Sequence, residues 1–246
     1  MRCILFLYTK IENEVEFMQL DDRLQALENF VTPGSRVADI GTDHGYLAID
    51  LVETELASFV IASDKNQGPY EAAQRTVHEH RLTSEQISVR LGDGLQVLKP
   101  GEVDTVCIAG MGGELMTEIL GASPLVLKQV KCLILQPMNQ AADLRRWLYR
   151  HYWHIADETL AVDNGRIYEI IKAERGRQKM PEPLMLEIGP VIWEKKQPLL
   201  RHHIESLLFA QRRVKAGMEK SEEASKTKKY RDVVKRIAEL EEHLTW

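Results

Sequence analysis

Between residues 36 and 172 the chain alternates short Val/Ile/Leu-rich runs with segments of helical period, and this alternation restricts the fold more than any other feature. Residues 36–40, 59–63, 87–91, 105–109 and 132–135 read as strands, and 46–54, 68–80, 114–120 and 141–151 as helices between them. A strand that is apolar at nearly every position has no face to offer water, so such runs belong in a parallel sheet covered by helices on both sides. Two further runs, 154–162 and 166–172, flank Asp163-Asn164-Gly165, where Asn-Gly supplies the left-handed conformations of a tight hairpin. The expected class is α/β, a doubly wound seven-stranded sheet whose last two strands form an antiparallel hairpin.

The ends of the chain read differently. Leu20, Leu24, Leu27, Phe30 and Val31 recur at helical spacing from Gln19 until the turn cluster Thr32-Pro33-Gly34-Ser35 stops them. Residues 1–17 fit neither period; with Met18 behind them they read as an extension or a misassigned start. Past residue 175 the composition shifts. Arg177 to Pro183 reads as a linker, followed by two long polar helices. Leu200, Ile204, Leu207, Leu208, Val214 and Met218 line the first; Tyr230, Val233, Ile237, Leu240 and Leu244 keep a/d spacing in the second, with a turn inside 217–225. An exposed apolar seam must be covered, so an antiparallel pair is expected. The organisation is thus an uncertain extension at 1–17, an α/β domain at 18–175 and an α-helical coiled-coil domain at 176–246.

Charge follows the same division. The net charge of −5 conceals 17 basic and 26 acidic residues before Gly176 against 15 and 11 after it. An acidic total argues against a nucleic-acid partner, but a tail of net +4 reopens the question locally. No run approaches a membrane span, and Cys3, Cys107 and Cys132 contain no CxxC pair, which disfavours both a disulfide framework and a structural zinc site. A soluble cytoplasmic protein without a metal is expected.

The chemistry concentrates in Asp39-Ile-Gly41-Thr-Asp43-His44-Gly45-Tyr46, where the first strand turns into its helix. Ligands of open α/β sheets sit beyond the carboxyl ends of the strands, at the switch point beside this strand. Asp64, 25 residues after Asp39 at the end of the second strand, is placed to accept from both ribose hydroxyls of an adenosine ligand. A dinucleotide fingerprint would need glycine where Asp43 stands; a carboxylate there repels pyrophosphate but suits the ammonium or sulfonium of S-adenosylmethionine. Asp93, in Gly92-Asp93-Gly94 after the third strand, could accept from the adenine amine. Acids after three successive strands favour S-adenosylmethionine over a nicotinamide cofactor; solvent-facing turn acids are the plainer alternative.

After the fourth strand, Gly110-Met111-Gly112-Gly113 allows close backbone approach to a planar substrate or the methyl donor, or is simply a tight turn; Gln136-Pro137-Met138-Asn139 ends the fifth. His78-Glu79-His80 lacks zinc-helix spacing and reads as a solvated helix end, and His202-His203 as surface. The segment from Arg145 to Trp153 mixes bases with aromatics as RNA stacking would require, although Trp147, Leu148 and Trp153 equally suit a core. Arg212, Arg213, Lys215, Lys226, Lys228, Lys229, Arg231, Lys235 and Arg236 either track phosphates or are solvated helix faces.

Six segments, in order, resemble the bacterial tRNA (adenine(22)-N1)-methyltransferase family: Asp39-Ile-Gly-Thr-Asp-His-Gly-Tyr-Leu47, Gly92-Asp-Gly-Leu95, Ile108-Ala-Gly-Met-Gly-Gly113, Leu135-Gln-Pro137, Leu144-Arg-Arg-Trp-Leu148 and Tyr168-Glu-Ile-Ile171. The resemblance runs from about Leu20 to the C-terminus, with two conservative departures: Asp64 where many members carry Glu, and Gly45 where Ala is common. It implies a Rossmann-like class I methyltransferase sheet with a C-terminal coiled coil, methylating N1 of an adenine in tRNA with S-adenosylmethionine. By position, Asp39, Gly41, Asp43, Asp64, Asp93, Gly94, Gly110 and Met111 would hold the cofactor, with Asp43, His44 and Tyr46 nearest the methyl group and the target base. Two other readings stand beside it: methylation of a small molecule or protein, and a non-catalytic S-adenosylmethionine-binding RNA adaptor. The partner expected is tRNA, with no membrane, and the expected state is a monomer.

Overall fold

The structure is a computed structural model that describes residues 20–245, so the readings made for residues 1–17 lie outside it. The chain runs α1 (Asp22–Glu28), β1 (Ser35–Ile40), α2 (Tyr46–Glu53), β2 (Ala57–Asp64), α3 (Gln67–Glu79), β3 (Ile87–Leu91), a 3-10 turn (Gly94–Val97), β4 (Thr105–Met111), α4 (Gly113–Ala122), α5 (Pro124–Leu127), β5 (Cys132–Pro137) and α6 (Ala141–Arg150). It continues through β6 (Trp153–Asp163), β7 (Arg166–Arg175), α7 (Pro183–Ile188), α8 (Pro190–Lys195), α9 (Leu200–Met218), α10 (Glu222–Ser225) and α11 (Lys228–His243). The seven strands form one sheet ordered β3-β2-β1-β4-β5-β7-β6. The first five are parallel; β7 lies antiparallel between β5 and β6. The chain winds outward from β1 on one side and from β4 on the other, so the switch point falls between these two strands, as the sequence pattern predicts.

Alternation along each strand divides the core. Ala38, Ile40, Ile61, Val106, Ile108, Leu133 and Leu135 pack under α4, α5 and α6, whereas Val37, Val60, Ala62, Cys107 and Ile134 pack under α1 and α2. Helix α1 is shorter than its apolar pattern. Asp21 caps its start by accepting from Leu24 N at 2.7 Å, and the helix ends at Glu28, leaving Phe30 and Val31 to pack from the turn that follows. Cys107 and Cys132 are free and buried, and burial pushes the Cys132 thiol up to about 12.

The C-terminal helices pack on the sheet as well as on one another. Leu160 of β6 joins Leu184, Ile188, Ile192, Leu200, Ile204, Leu208 and Leu240 in a third cluster, each buried leucine or isoleucine contributing roughly 1.5–3 kcal/mol. Helices α9 and α11 pair with Val233 and Leu240 buried, but the seam stops short of the tip: Val214, expected within it, is 43% exposed because only the sheet-proximal turns have a third layer to cover them. Two short helices, α7 and α8, occupy ground that the sequence marks as linker and its border.

A buried ion network fastens this region to the sheet. Arg145 of α6, with no exposed side-chain surface, donates through Nε to Glu158 Oε1 at 2.6 Å and meets Glu169 Oε2 at 2.7 Å. It also donates Nη1 to Leu186 O, and Glu158 accepts from Val191 N at 2.9 Å. Burial works against the Arg145 charge, but the Glu158 and Glu169 carboxylates overcome it and hold the guanidinium protonated. The segment 145–153, open in the sequence between RNA stacking and core, is largely core: Leu148 and Trp153 are buried, as that alternative expects, and so are Arg145 and Tyr149, while Arg146 pairs with Asp143. Arg150, His151 and Tyr152 are exposed, Tyr152 under the Arg177 guanidinium. His203, expected at the surface, is 4% exposed with Nε2 3.1 Å from Ile188 O. No described helix is long and apolar enough to cross a membrane.

Candidate functional site

Two grooves open at the carboxyl edge of the sheet and share Gly41. The first is lined by Gly41, Ser63, Asp64, Asn66, Asp93, Gly94, Met111, Leu115 and Ile119. The second is lined by Asp21, Arg23, Asp39, Gly41, Thr42, Asp43, His44, Tyr46, Ala109 and Gly110. Every candidate residue of the sequence reading thus lies in one or the other, because β1, β2 and β4 deliver their ends side by side at the switch point. A larger cleft of about 700 Å3 lies elsewhere, among α7, α8 and α11, beside Trp193 and the Arg236–Glu187 ion pair.

The turn after β1 is stitched to β2: the Gly41 and Thr42 amides both donate to Ser63 O, at 2.7 and 2.9 Å. Gly41 has φ +81°, and a Cβ there would sit 2.2 Å from Met111 Cε. The Met111 side chain therefore lies across the bare backbone of Gly41, an approach that only glycine permits. Asp64 is fixed by accepting from Asn66 N at 2.7 Å, and the Gly92 amide donates to Asp64 O. One wall of the first groove is carboxylate; the other, Met111, Leu115 and Ile119, is apolar. That combination suits a flat purine with a ribose attached. Ser63 Oγ, buried and without a hydrogen-bond partner among the described residues, leaves a polar atom at the same junction for a ligand.

In the second groove Asp39 is 5% exposed. Burial pushes its carboxyl up to about 6; a Thr42 hydrogen bond opposes this, the Asp64 charge adds to it, and Arg23 again opposes. A buried carboxylate of this kind gains most from a cation placed beside it. Asp43 stands at the rim, 83% exposed, 3.8 Å from His44 Nε2. The His44 and Tyr46 rings stack at 5.2 Å with 12° between planes, and Tyr46 is 44% exposed. They form a π platform beside Asp43. Among the described residues no His/Cys/Asp/Glu group has a metal-binding arrangement.

One side of this groove comes from residues outside the strand-end motifs. Gln136, fully buried at the end of β5, accepts through Oε1 from Gly110 N and from Arg23 Nη1, both at 3.1 Å. Helix α1 thus contributes Asp21 and Arg23 to the site rather than merely leading into the sheet. Its polar positions carry no periodic or spacing signal that would separate Arg23 from an ordinary solvated residue.

With this geometry in view, the comparisons are specific. Residues 37–242 match the family model described as tRNA (adenine(22)-N(1))-methyltransferase. The chain is 40% identical over 176 residues to the tRNA (adenine(22)-N(1))-methyltransferase of Bacillus subtilis, covering 71% of this chain and 74% of that protein. Among solved structures, the B. subtilis M1A22 tRNA methyltransferase is 32% identical with a TM-score of 0.83, over 92% of this chain and 99% of that one. A Mycoplasma capricolum homologue of that enzyme, solved with the cofactor product S-adenosyl-homocysteine, is 25% identical with a TM-score of 0.79, over 93% and 99%.

Proposed function

The chain belongs to the tRNA (adenine(22)-N(1))-methyltransferase family, and from that membership we propose that it methylates N1 of an adenine in tRNA, position 22, with S-adenosylmethionine as donor. The observation that carries this reading is the pair of grooves joined at Gly41, one suited to an adenosine and the other placing a buried acid beside a π platform. Asp64 and Asp93 would take the ribose hydroxyls and the adenine amine, Gly41, Gly94, Gly110 and Met111 would pack against the ligand, and Asp39 and Asp43 would meet its cationic end. Bound S-adenosylmethionine supplies an electrophilic methyl group on a cationic sulfur.

The chain's own task is then placement. Adenine N1, once unpaired, is a neutral nitrogen with a free lone pair, so no general base is required. Tyr46 and His44 would stack the extruded base and hold N1 in line with the methyl group. The positive charge that develops on the ring is favoured by the adjacent Asp43 carboxylate. The same reading takes α9 and α11 as a coiled-coil domain and the protein as a cytoplasmic monomer; light scattering during gel filtration should give about 28.2 kDa. Incubation with methyl-labelled S-adenosylmethionine and bulk tRNA should label the RNA as 1-methyladenosine. Label appearing equally without RNA would instead favour a small-molecule or protein substrate.

A further inference from the structure

Arg23, Tyr168 and Arg166 form a cluster that the cofactor and base positions do not use. Arg23 donates to the buried Gln136 Oε1, meets Asp21 Oδ2 at 3.3 Å and stands 5.9 Å from the Tyr168 ring centroid. Arg166 stands 5.3 Å from the same centroid and donates Nη2 to Met138 O at 2.9 Å. The partners of both guanidiniums mostly fix direction without neutralising charge: an amide oxygen, a backbone carbonyl and an aromatic face. Among the described residues Asp21 is the one carboxylate in contact with Arg23, and Arg166 meets none. Each guanidinium has five N–H donors, so several remain for a ligand.

Placement gives the pair its meaning. Arg23 lines the same groove as Asp39, Asp43, His44 and Tyr46, and Arg166 is its neighbour across the shared Tyr168 ring. A groove rich in carboxylates repels a polyanion. A nucleotide entering it base-first nevertheless brings its own phosphates to the rim. Resting on the tRNA methyltransferase reading, we propose that Arg23 and Arg166, spaced by Tyr168, clamp the RNA backbone phosphates flanking the target nucleotide. Arginine suits this use because its planar fork binds phosphate oxygens in pairs while stacking on an aromatic face.

The test uses the full chain with Arg166→Ala, Arg166→Lys and Arg23→Lys. S-adenosylhomocysteine affinity is measured by calorimetry, and affinity for a tRNA transcript is followed between about 50 and 200 mM salt. Arg166→Ala should weaken tRNA binding roughly tenfold and lower the salt slope by about 1, with S-adenosylhomocysteine affinity unchanged. Arg166→Lys should recover most of the slope, whereas in Arg166→Ala KM for tRNA should rise with kcat retained. Arg23→Lys, which keeps charge but loses the fork, should weaken tRNA binding with the slope preserved. An unchanged tRNA affinity and slope in Arg166→Ala would overturn the clamp, as would a loss confined to S-adenosylhomocysteine. If the wild-type chain bound tRNA without methylating it, the enzymatic reading would fall while a lost slope would still uphold the clamp.

Discussion

Glycine at position 41 answers two separate demands, and substitution can tell them apart. Its φ of +81° costs an L side chain about 1–2 kcal/mol, and its missing Cβ makes room for Met111. Gly34 has the same φ with nothing within 4 Å of a Cβ. Gly34→Ala should therefore show the backbone strain alone in a urea melt, whereas Gly41→Ala should show that loss and also a tenfold or greater fall in S-adenosylhomocysteine affinity, since roughly 1.4 kcal/mol suffices for tenfold. Equal cofactor affinity in both variants would contradict the packing of Met111 over the turn. Asp39 makes a prediction of different form. Between its unfolded value of 3.8 and about 6 the unfolded chain is ionised while the folded chain keeps its proton, so the contribution of this group to stability falls as pH rises through that window and stays lower above it. Asp39→Asn should be more stable than the wild type at pH 7.5, by on the order of 2–3 kcal/mol, and the gap should close below about pH 4 in urea unfolding. A cationic ligand beside Asp39 favours the ionised form, so S-adenosylmethionine affinity should rise from pH 5 to pH 7, with proton release seen by calorimetry in two buffers.

At the scale of elements, what the sequence disclosed and what it hid have physical causes. Strands buried on both faces must be largely apolar, so β1, β2, β4 and β5 could be read directly, whereas β3, at the sheet edge with Ile87 alone buried, is under no such constraint; the acids at Asp39, Asp64 and Asp93 stand where strand ends converge on the switch point. The turn at Asp163-Asn164-Gly165 was legible for a local reason: Asn164 and Gly165 both have positive φ. Helices α7 and α8 were not seen because each is only six residues long, too short for a period. Their signal was Pro183 and Pro190 at first helical positions, with Gly189 between. The environments of Arg145 and His203 were illegible for a deeper reason, because charge in a sequence says exposed unless a partner is known, and Glu158 and Glu169 come from strands beyond any local window. That network yields a stability test. Arg145→Met leaves Glu158 buried without its cation and should cost about 3–5 kcal/mol in urea unfolding, while adding Glu158→Gln should recover part of the loss. A single variant as stable as the wild type would show that the network does not fasten α7 and α8 to the sheet.

Across the whole molecule the acidic total divides into two regions of opposite sign. The net −9 before Gly176 includes Asp39, Asp43, Asp64 and Asp93, acids suited to a cationic cofactor, whereas the net +4 after it sits largely on α9 to α11. Many of those bases are already occupied: Arg212 pairs with Glu241, Lys215 with Glu219 and Lys226 with Glu222. Lys220, Lys228 and Lys229 are exposed and meet no carboxylate among the described residues, so an RNA-binding role for the tail would rest on bases such as these. Replacing all three with Gln should weaken tRNA binding and lower the salt slope by about 2–3 while leaving kcat intact; an unchanged slope would make the hairpin a structural element only. Methylation at one atom of one nucleotide is tested most directly by comparing two tRNA transcripts that differ only at position 22. With adenine there, labelled S-adenosylmethionine should yield 1-methyladenosine at that site; with guanine there, none. Equal labelling of both transcripts, or label on any other atom of adenine 22, would contradict the account.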